Sequence, residues 1–160
     1  MRIQELNVEW VERFRGIRLR ALRDAPTAFG TTFEDAEKWP TEEWVGLLSS
    51  MTVFVAAVGG VDVGVVRVGP DRGFESRARL GSLWVAPEFR GTHVGRSLID
   101  VVVEWARSRG YAELVLGVSD DNDSAIALYS RCGFEPTGEV ATLPPPREHL
   151  SKHMRRLRLS

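Results

Sequence analysis

Two runs of β-branched residues, Thr52 to Val58 and Val61 to Val68, flank the pair Gly59-Gly60. β-Branched side chains are stiff about χ1 and pack well on a pleated surface, and a Gly-Gly pair supplies the positive φ angles of a tight hairpin. The middle of the chain is therefore committed to antiparallel sheet. Pro70 to Ser76 follows as a polar loop, and Arg79 to Val85 is a third strand that Pro87 stops. Val94 to Arg109 reads as a helix with Leu98, Val102, Trp105 and Ala106 on one face and Gly110 just past its end. Leu114 to Val118 is a short apolar strand, Ser124 to Arg131 a helix closed by Gly133, and Phe134 to Ala141 and Leu150 to Leu157 the last strands. Pro144, Pro145 and Pro146 form a stiff connection between these two.

Helices precede the hairpin. Asn7 is a good N-cap for a helix running toward Arg23, with Trp10, Phe14, Ile17, Ala21 and Leu22 on its apolar face. Pro26 opens a second short helix that Gly30 interrupts or ends, and Thr41 with Glu42 and Glu43 gives a capped start to a third, through Leu48. This order predicts an α+β fold with a mixed, mainly antiparallel central sheet flanked by helices. The strands Arg79 to Val85 and Leu114 to Val118 should be parallel, splayed, and joined by a right-handed crossover through the helix between them.

The 160 residues, 43% hydrophobic and 27% charged, suffice for one core and one domain spanning 1–160. A net charge of −1 provides no global field toward nucleic acid or a membrane, and no apolar run reaches the roughly 18 residues a bilayer requires. The basic group Lys152, Arg155, Arg156 and Arg158 reads as the solvated ends of an edge strand. One cysteine, Cys132, excludes an internal disulfide, and Met1 to Trp10 lacks the apolar stretch of a signal peptide, so cytoplasm is the expected location. His93, His149 and His153 have no cysteine partners, which predicts no metal.

The segment Val85 to Arg96 joins a strand to a helix N-terminus through two glycines, Gly91 and Gly95. Such a junction aims unpaired backbone N–H groups and the positive end of the helix dipole at one spot, suited to a pyrophosphate, and Arg90 and Arg96 add charge. This segment resembles the acyl-CoA-binding motif of the GCN5-related N-acetyltransferases: Arg or Gln, two residues, Gly, one residue, then Gly or Ala. Arg90 and Gly95 match its ends, and His93 stands where the middle glycine would be. A Cβ there either widens the loop or turns the imidazole to the phosphates. Asn122, Ala125, Leu128, Tyr129, Gly133 and Phe134 resemble the second signature of the same family.

The resemblance implies an enzyme that moves an acetyl group from acetyl-CoA to a primary amine, by direct attack on the thioester. It implies CoA contacts from Leu83, Trp84, Val85, Arg90, Gly91, Thr92, His93, Val94, Gly95, Arg96, Asn122 and Tyr129. Pantetheine would bind along the strand edge, and a backbone N–H near Val85 would meet the oxyanion. Tyr129, otherwise a core aromatic, would protonate the leaving thiolate, since a phenol and a thiol have similar basicity. Many relatives carry a glutamate base near the position of Ser82, so Ser82 could only pass a proton through water. Glu34, Glu37 and Glu88 are other candidates, and no base is assigned. Phe29, Phe33 and Trp84 could line the amine pocket, where Glu34, Asp35 and Glu37 would suit a cationic amine. Cys132, at a helix C-terminus without a base nearby in sequence, reads as packing rather than nucleophile. A homodimer is compatible with this reading. A non-catalytic acyl-CoA-binding regulatory domain is the alternative, permitted by His93 and the missing glutamate, while a nucleic-acid module has only the basic C-terminus in its favour.

Overall fold

The computed structural model describes residues 1–26, 28–143, 145 and 147–159. In chain order the elements are β1 (Arg2–Glu5), α1 (Val11–Asp24), α2 (Phe33–Glu37), α3 (Thr41–Ser50), β2 (Thr52–Val58), β3 (Val61–Asp71), β4 (Phe74–Val85), α4 (Val94–Ser108), β5 (Glu113–Ser119), α5 (Asp123–Arg131), β6 (Glu135–Thr142) and β7 (Ser151–Arg158). The strands form one sheet in the order β1-β2-β3-β4-β5-β7-β6. Every neighbouring pair is antiparallel except β4 with β5. Those two are parallel, as the strand–loop–helix–strand order predicts. They pair only through Arg77↔Glu113, Ala78↔Leu114 and Arg79↔Val115, and beyond that they diverge.

The two faces of the sheet are covered differently. α4 packs on β2 to β5 with Leu98, Ile99 and Val102 buried. A Cβ at Gly64 would lie 2.9 Å from Leu98 Cδ1 and 3.0 Å from Val94 Cγ1, so glycine there lets α4 close on β3. Strand alternation turns Val63, Val65 and Arg67 to the opposite face, over which α1 lies. There Phe14 of α1 and Trp44 of α3 meet edge to face at 5.6 Å, both fully buried. Each fully buried side chain of this size contributes roughly 1.5–3 kcal/mol of apolar transfer.

Several elements differ from expectation. Arg2–Glu5 adds a strand beside β2, too short for its alternation to show in sequence. Asn7 caps a 3₁₀ turn, Val8–Trp10, accepting from Glu9 N at 2.9 Å, and α1 begins only at Val11. The short second helix starts at Phe33 rather than Pro26, because the Thr32 hydroxyl accepts from Asp35 N. Thr41 is the first residue of α3 rather than its cap, which is Pro40 without a side-chain bond. Most of the expected Pro70 to Ser76 loop is strand: Asp71 pairs with Phe74 across a tight turn at Gly73, whose φ is 84°. The basic C-terminal strand is not an edge, since β7 lies between β5 and β6. Pro144 and Pro146 of the expected proline connection lie outside the described residues.

Candidate active site

The divergence of β4 and β5 opens the middle of the sheet, and two cavities meet there. The first is a groove of about 420 Å³ between the loop leading into α4 and the facing side of α5. Leu83, Trp84, Val85, Arg90, Gly91, Thr92 and Gly95 line one wall, and Asn122, Ala125 and Leu128 are on the other. The loop is built locally. Pro87–Phe89 forms a 3₁₀ turn, the Thr92 hydroxyl donates to Phe89 O at 2.5 Å, and Gly91 turns the chain at φ 78°. His93 has φ −83° and ψ −4°, a conformation open to any L residue. It is exposed, as is Arg96, and neither His93, Val94 nor Arg96 lines the groove. A Cβ at Gly95 would lie 2.8 Å from Leu128 Cδ2, so this glycine sets how closely α4 approaches α5 as well as shaping the groove.

Arg90 is already engaged. It donates to Val85 O at 3.0 Å and to Asp24 Oδ2 at 2.5 Å, and the Trp84 indole N–H donates to the same oxygen at 2.9 Å. Burial alone would raise the Asp24 carboxyl. The bonds from Trp84 and Arg90, with the Arg90 charge, hold it below its ordinary value.

The second cavity, about 260 Å³, lies deeper and shares Ala28, Phe29, Leu83 and Asn122 with the groove. Ser82 lines it from a bulge in β4: Val65 pairs with Trp84 but Arg67 with Gly81, which leaves one extra β4 residue. Ser82 takes φ 57°, a strained angle for a residue with a Cβ. Tyr129 also lines this cavity, buried against Phe134 with ring centroids 5.8 Å apart. Burial first, and Cys132 second, raise its phenol above the ordinary value, so it holds its proton at neutral pH. The Cys132 thiol is itself raised, chiefly by burial, and is no thiolate.

The remaining lining is cationic. Arg18, Arg67, Arg79 and Lys152 all line the inner cavity, and among its described lining residues there is no carboxylate. The loop over it, between α1 and α2, is held by Arg147. This buried guanidinium donates to Pro26 O at 2.8 Å, to Gly30 O at 2.7 Å and to Phe29 O.

A family model described as the acetyltransferase (GNAT) family matches residues 18–134. The chain belongs to this family. Human N-acetyltransferase 8B is 40% identical over 65 residues, 41% of this chain and 29% of that protein. An uncharacterised N-acetyltransferase of Methanocaldococcus jannaschii is 37% identical over 86 residues, 51% of this chain and 38% of its own. The matches thus span well under half of these relatives' lengths. Two solved structures share the fold over nearly the whole chain. The Staphylococcus aureus Mu50 N-acetyltransferase superposes with TM-score 0.82 at 19% identity, covering 99% of this chain and 98% of its own. Salmonella typhimurium yncA, solved with acetyl-CoA, gives 0.82 at 21%, covering 100% and 94%.

Set in the GNAT fold, the candidate residues separate by place. Leu83, Trp84, Val85, Arg90, Gly91, Thr92, Gly95 and Asn122 come together along the groove, and Tyr129, Ser82 and Phe29 meet in the inner cavity. Phe33, Glu37 and Glu88 line a third hollow on the outer side of α1, and Trp84 spans that hollow and the groove. Glu34 and Asp35 line none of the three. Arg18, Arg67 and Arg147 were not among the residues expected here, and Lys152, expected as the solvated end of an edge strand, lines the inner cavity instead. A signal for two of them was present. Arg18 continues the spacing of Phe14, Ile17, Ala21 and Leu22, and Arg67 continues the inward phase of Val63 and Val65. A charge at a core position marks either a partner or a ligand.

Among the described residues no group of three or more His, Cys, Asp or Glu is placed to hold a metal, and no helix is long and apolar enough to cross a membrane.

Proposed function

We propose that this protein is an acetyl-CoA-dependent N-acetyltransferase acting on a primary amine. The observation that carries the reading is the meeting of two cavities at the β4–β5 divergence. One ends at a helix N-terminus and the other holds a buried, protonated phenol. The donor fits the first. The opening of α4 directs N–H groups without intrahelical partners toward the groove, and a Cβ at Gly91 would meet nothing within 4 Å, so a pyrophosphate has room. Arg90 would exchange Asp24 for phosphate at small cost, because its pair with Asp24 is largely exposed. That move also frees Val85 O for a main-chain-like contact with the pantetheine arm. Acetyl-CoA supplies the activated acyl group.

The chain's own residues do the rest. The acceptor enters the inner cavity with Phe29 and Leu83 at its mouth, its nitrogen directed at the thioester carbon. A β4 backbone N–H near Val85 meets the oxyanion, and Tyr129 gives its proton to the departing thiolate sulfur. With no carboxylate lining the cavity among the described residues, the amine's proton leaves through water, for which Ser82 at the bulge is a relay. The same lack of a carboxylate favours a second reading, an acyl-CoA-binding domain without turnover. We infer that residues 1–160 form one domain, and place the protein in the cytoplasm on its lone thiol and ordinary composition.

Calorimetry with CoA and a thiol-release assay on a primary-amine panel test the reading together. Saturable CoA binding with amine-dependent thiol release is expected. Binding without release on any amine selects the second reading, and absence of binding removes both.

A further inference from the structure

The inner cavity has an excess of positive charge that the transfer chemistry does not require. Arg18 enters it from α1 with 5% of its surface exposed; its guanidinium lies over the Phe29 ring, 4.5 Å from the centroid, and its Nη1 has no hydrogen-bond partner among the described residues. Arg67 enters from β3, and its Nε is likewise buried and unpartnered. Lys152 of β7 pairs in register with Ser119 and lies over Gly117, where a Cβ would stand 2.7 Å from its Cε. Ser119 Oγ is buried without a partner as well. Arg79 completes the set, and among the described residues it alone of the four pairs with an acid: Asp71, at 3.5 Å, which also holds Arg77 at 2.6 Å. The floor is bare. Gly81 lies opposite Arg67, and a Cβ added to it would meet nothing within 4 Å.

Like charges gathered out of water repel and lose hydration, so this arrangement is costly to the free protein. The cost registers on Arg18, Arg67 and Lys152. Burial first, then the Arg67 charge, pushes the Arg18 guanidinium down to about 9, still charged at neutral pH. Burial lowers Arg67, and burial followed by Arg79 and Arg67 lowers Lys152. A bound anion would relieve all three at once. Guanidinium donors match the oxygens of a compact oxyanion, and a volume of about 260 Å³ holds a molecule of amino-acid size.

We propose that the acceptor is a small amine that also carries a compact oxyanion, a carboxylate or phosphonate, and that Arg18, Arg67 and Lys152 hold this anion while the amine faces the thioester. The proposal rests on the transferase reading and narrows it. It reverses the expectation of a cationic amine, because Glu34, Asp35 and Glu37 lie outside this cavity.

The test is thiol release from acetyl-CoA with matched amines: the common amino acids, β-alanine and 2-aminoethylphosphonate in one arm, their amides and decarboxylated counterparts in the other. The acid arm should exceed the neutral arm by about a hundredfold or more in kcat/KM, because a neutral analogue leaves the cations buried and unpaired. The carboxylate and phosphonate members identify which oxyanion is taken. Arg67→Met and Arg18→Met should each erase most of that preference, with the CoA dissociation constant unchanged. Their melting temperatures should hold or rise, since each removes a cation that burial disfavours and no neighbouring acid offsets. Equal or better turnover of the neutral arm overturns the proposal and leaves the transferase reading standing. Thiol release from neither arm, with CoA bound, overturns it too, as does full acid preference in both arginine variants. Failure to bind CoA removes the transferase reading and this proposal with it.

Discussion

Replacing Arg147 with alanine should loosen the wall that the two cavities share. Its guanidinium reaches the carbonyls of Pro26, Phe29 and Gly30, three acceptors more than a hundred residues away in sequence. The three will not suffer equally. Pro26 and Gly30 are exposed residues whose carbonyls can take water instead, so each loses only the net worth of a hydrogen bond, about 0.5–1 kcal/mol. The Phe29 carbonyl is buried with its side chain and keeps a desolvation penalty of about 1–3 kcal/mol. The total is roughly 2–5 kcal/mol. At about 2–4 °C per kcal/mol for a chain of this size, the melting temperature should fall by about 4–20 °C. Local opening should show as well, because Ala28 and Phe29 line both cavities. KM for the acceptor should therefore rise more than kcat falls. Arg147→Lys, with the charge but not the planar fork, should recover only part of either effect. Thermal unfolding followed by circular dichroism, with steady-state kinetics on all three proteins, provides the measurements. A melting temperature within about 2 °C of the parent, or intact KM in the alanine variant, would refute the clamp.

Tyr129→Phe keeps the ring that packs on Phe134 and removes the proton donor, so turnover should fall at least roughly tenfold while CoA affinity barely moves. Because the phenol lies above its ordinary value, the parent's activity should show no alkaline limb from this group below about pH 10, and a limb at pH 8 that vanishes in the Phe variant would contradict the environment described. Gly95→Leu must displace Leu128, already 2.8 Å from where a Cβ would stand, into the groove it lines; calorimetry should show CoA binding lost in a protein that still folds, and normal binding would remove this loop from the phosphate site.

The sheet was legible in sequence where pattern is local. Gly59-Gly60 between β-branched runs, and a strand, loop, helix and strand in succession, yielded the hairpin and the parallel pair. The loop into α4 was legible as a strand-to-helix junction because its glycines and proline mark it directly. His93 looked like a defect only by analogy, for at φ −83° the backbone makes no demand for glycine there, unlike Gly91. What could not be read was anything set by distance in space. Arg147 and the loop it holds are joined by no sequence signal. The place of β7 inside the sheet is decided by which edge β5 offers, not by its own residues. The bulge at Ser82 arises from a register slip against β3 that neither strand announces alone.

The gap between β4 and β5 also has a bearing on survival of the folded state. Past Arg79 and Val115 the two strands present main-chain edges to one another without pairing. An outer edge can be guarded against aggregation by lysine, proline or an early stop. An inner one cannot, if it must receive a ligand as a further strand would be received. Its guard is then the ligand itself. At a hundred times its dissociation constant a bound acyl donor adds about 2.7 kcal/mol to the folded state. For a domain whose whole margin is of the order of 5–15 kcal/mol, the proposed transferase reading then ties the abundance of this protein to how much acyl donor is at hand.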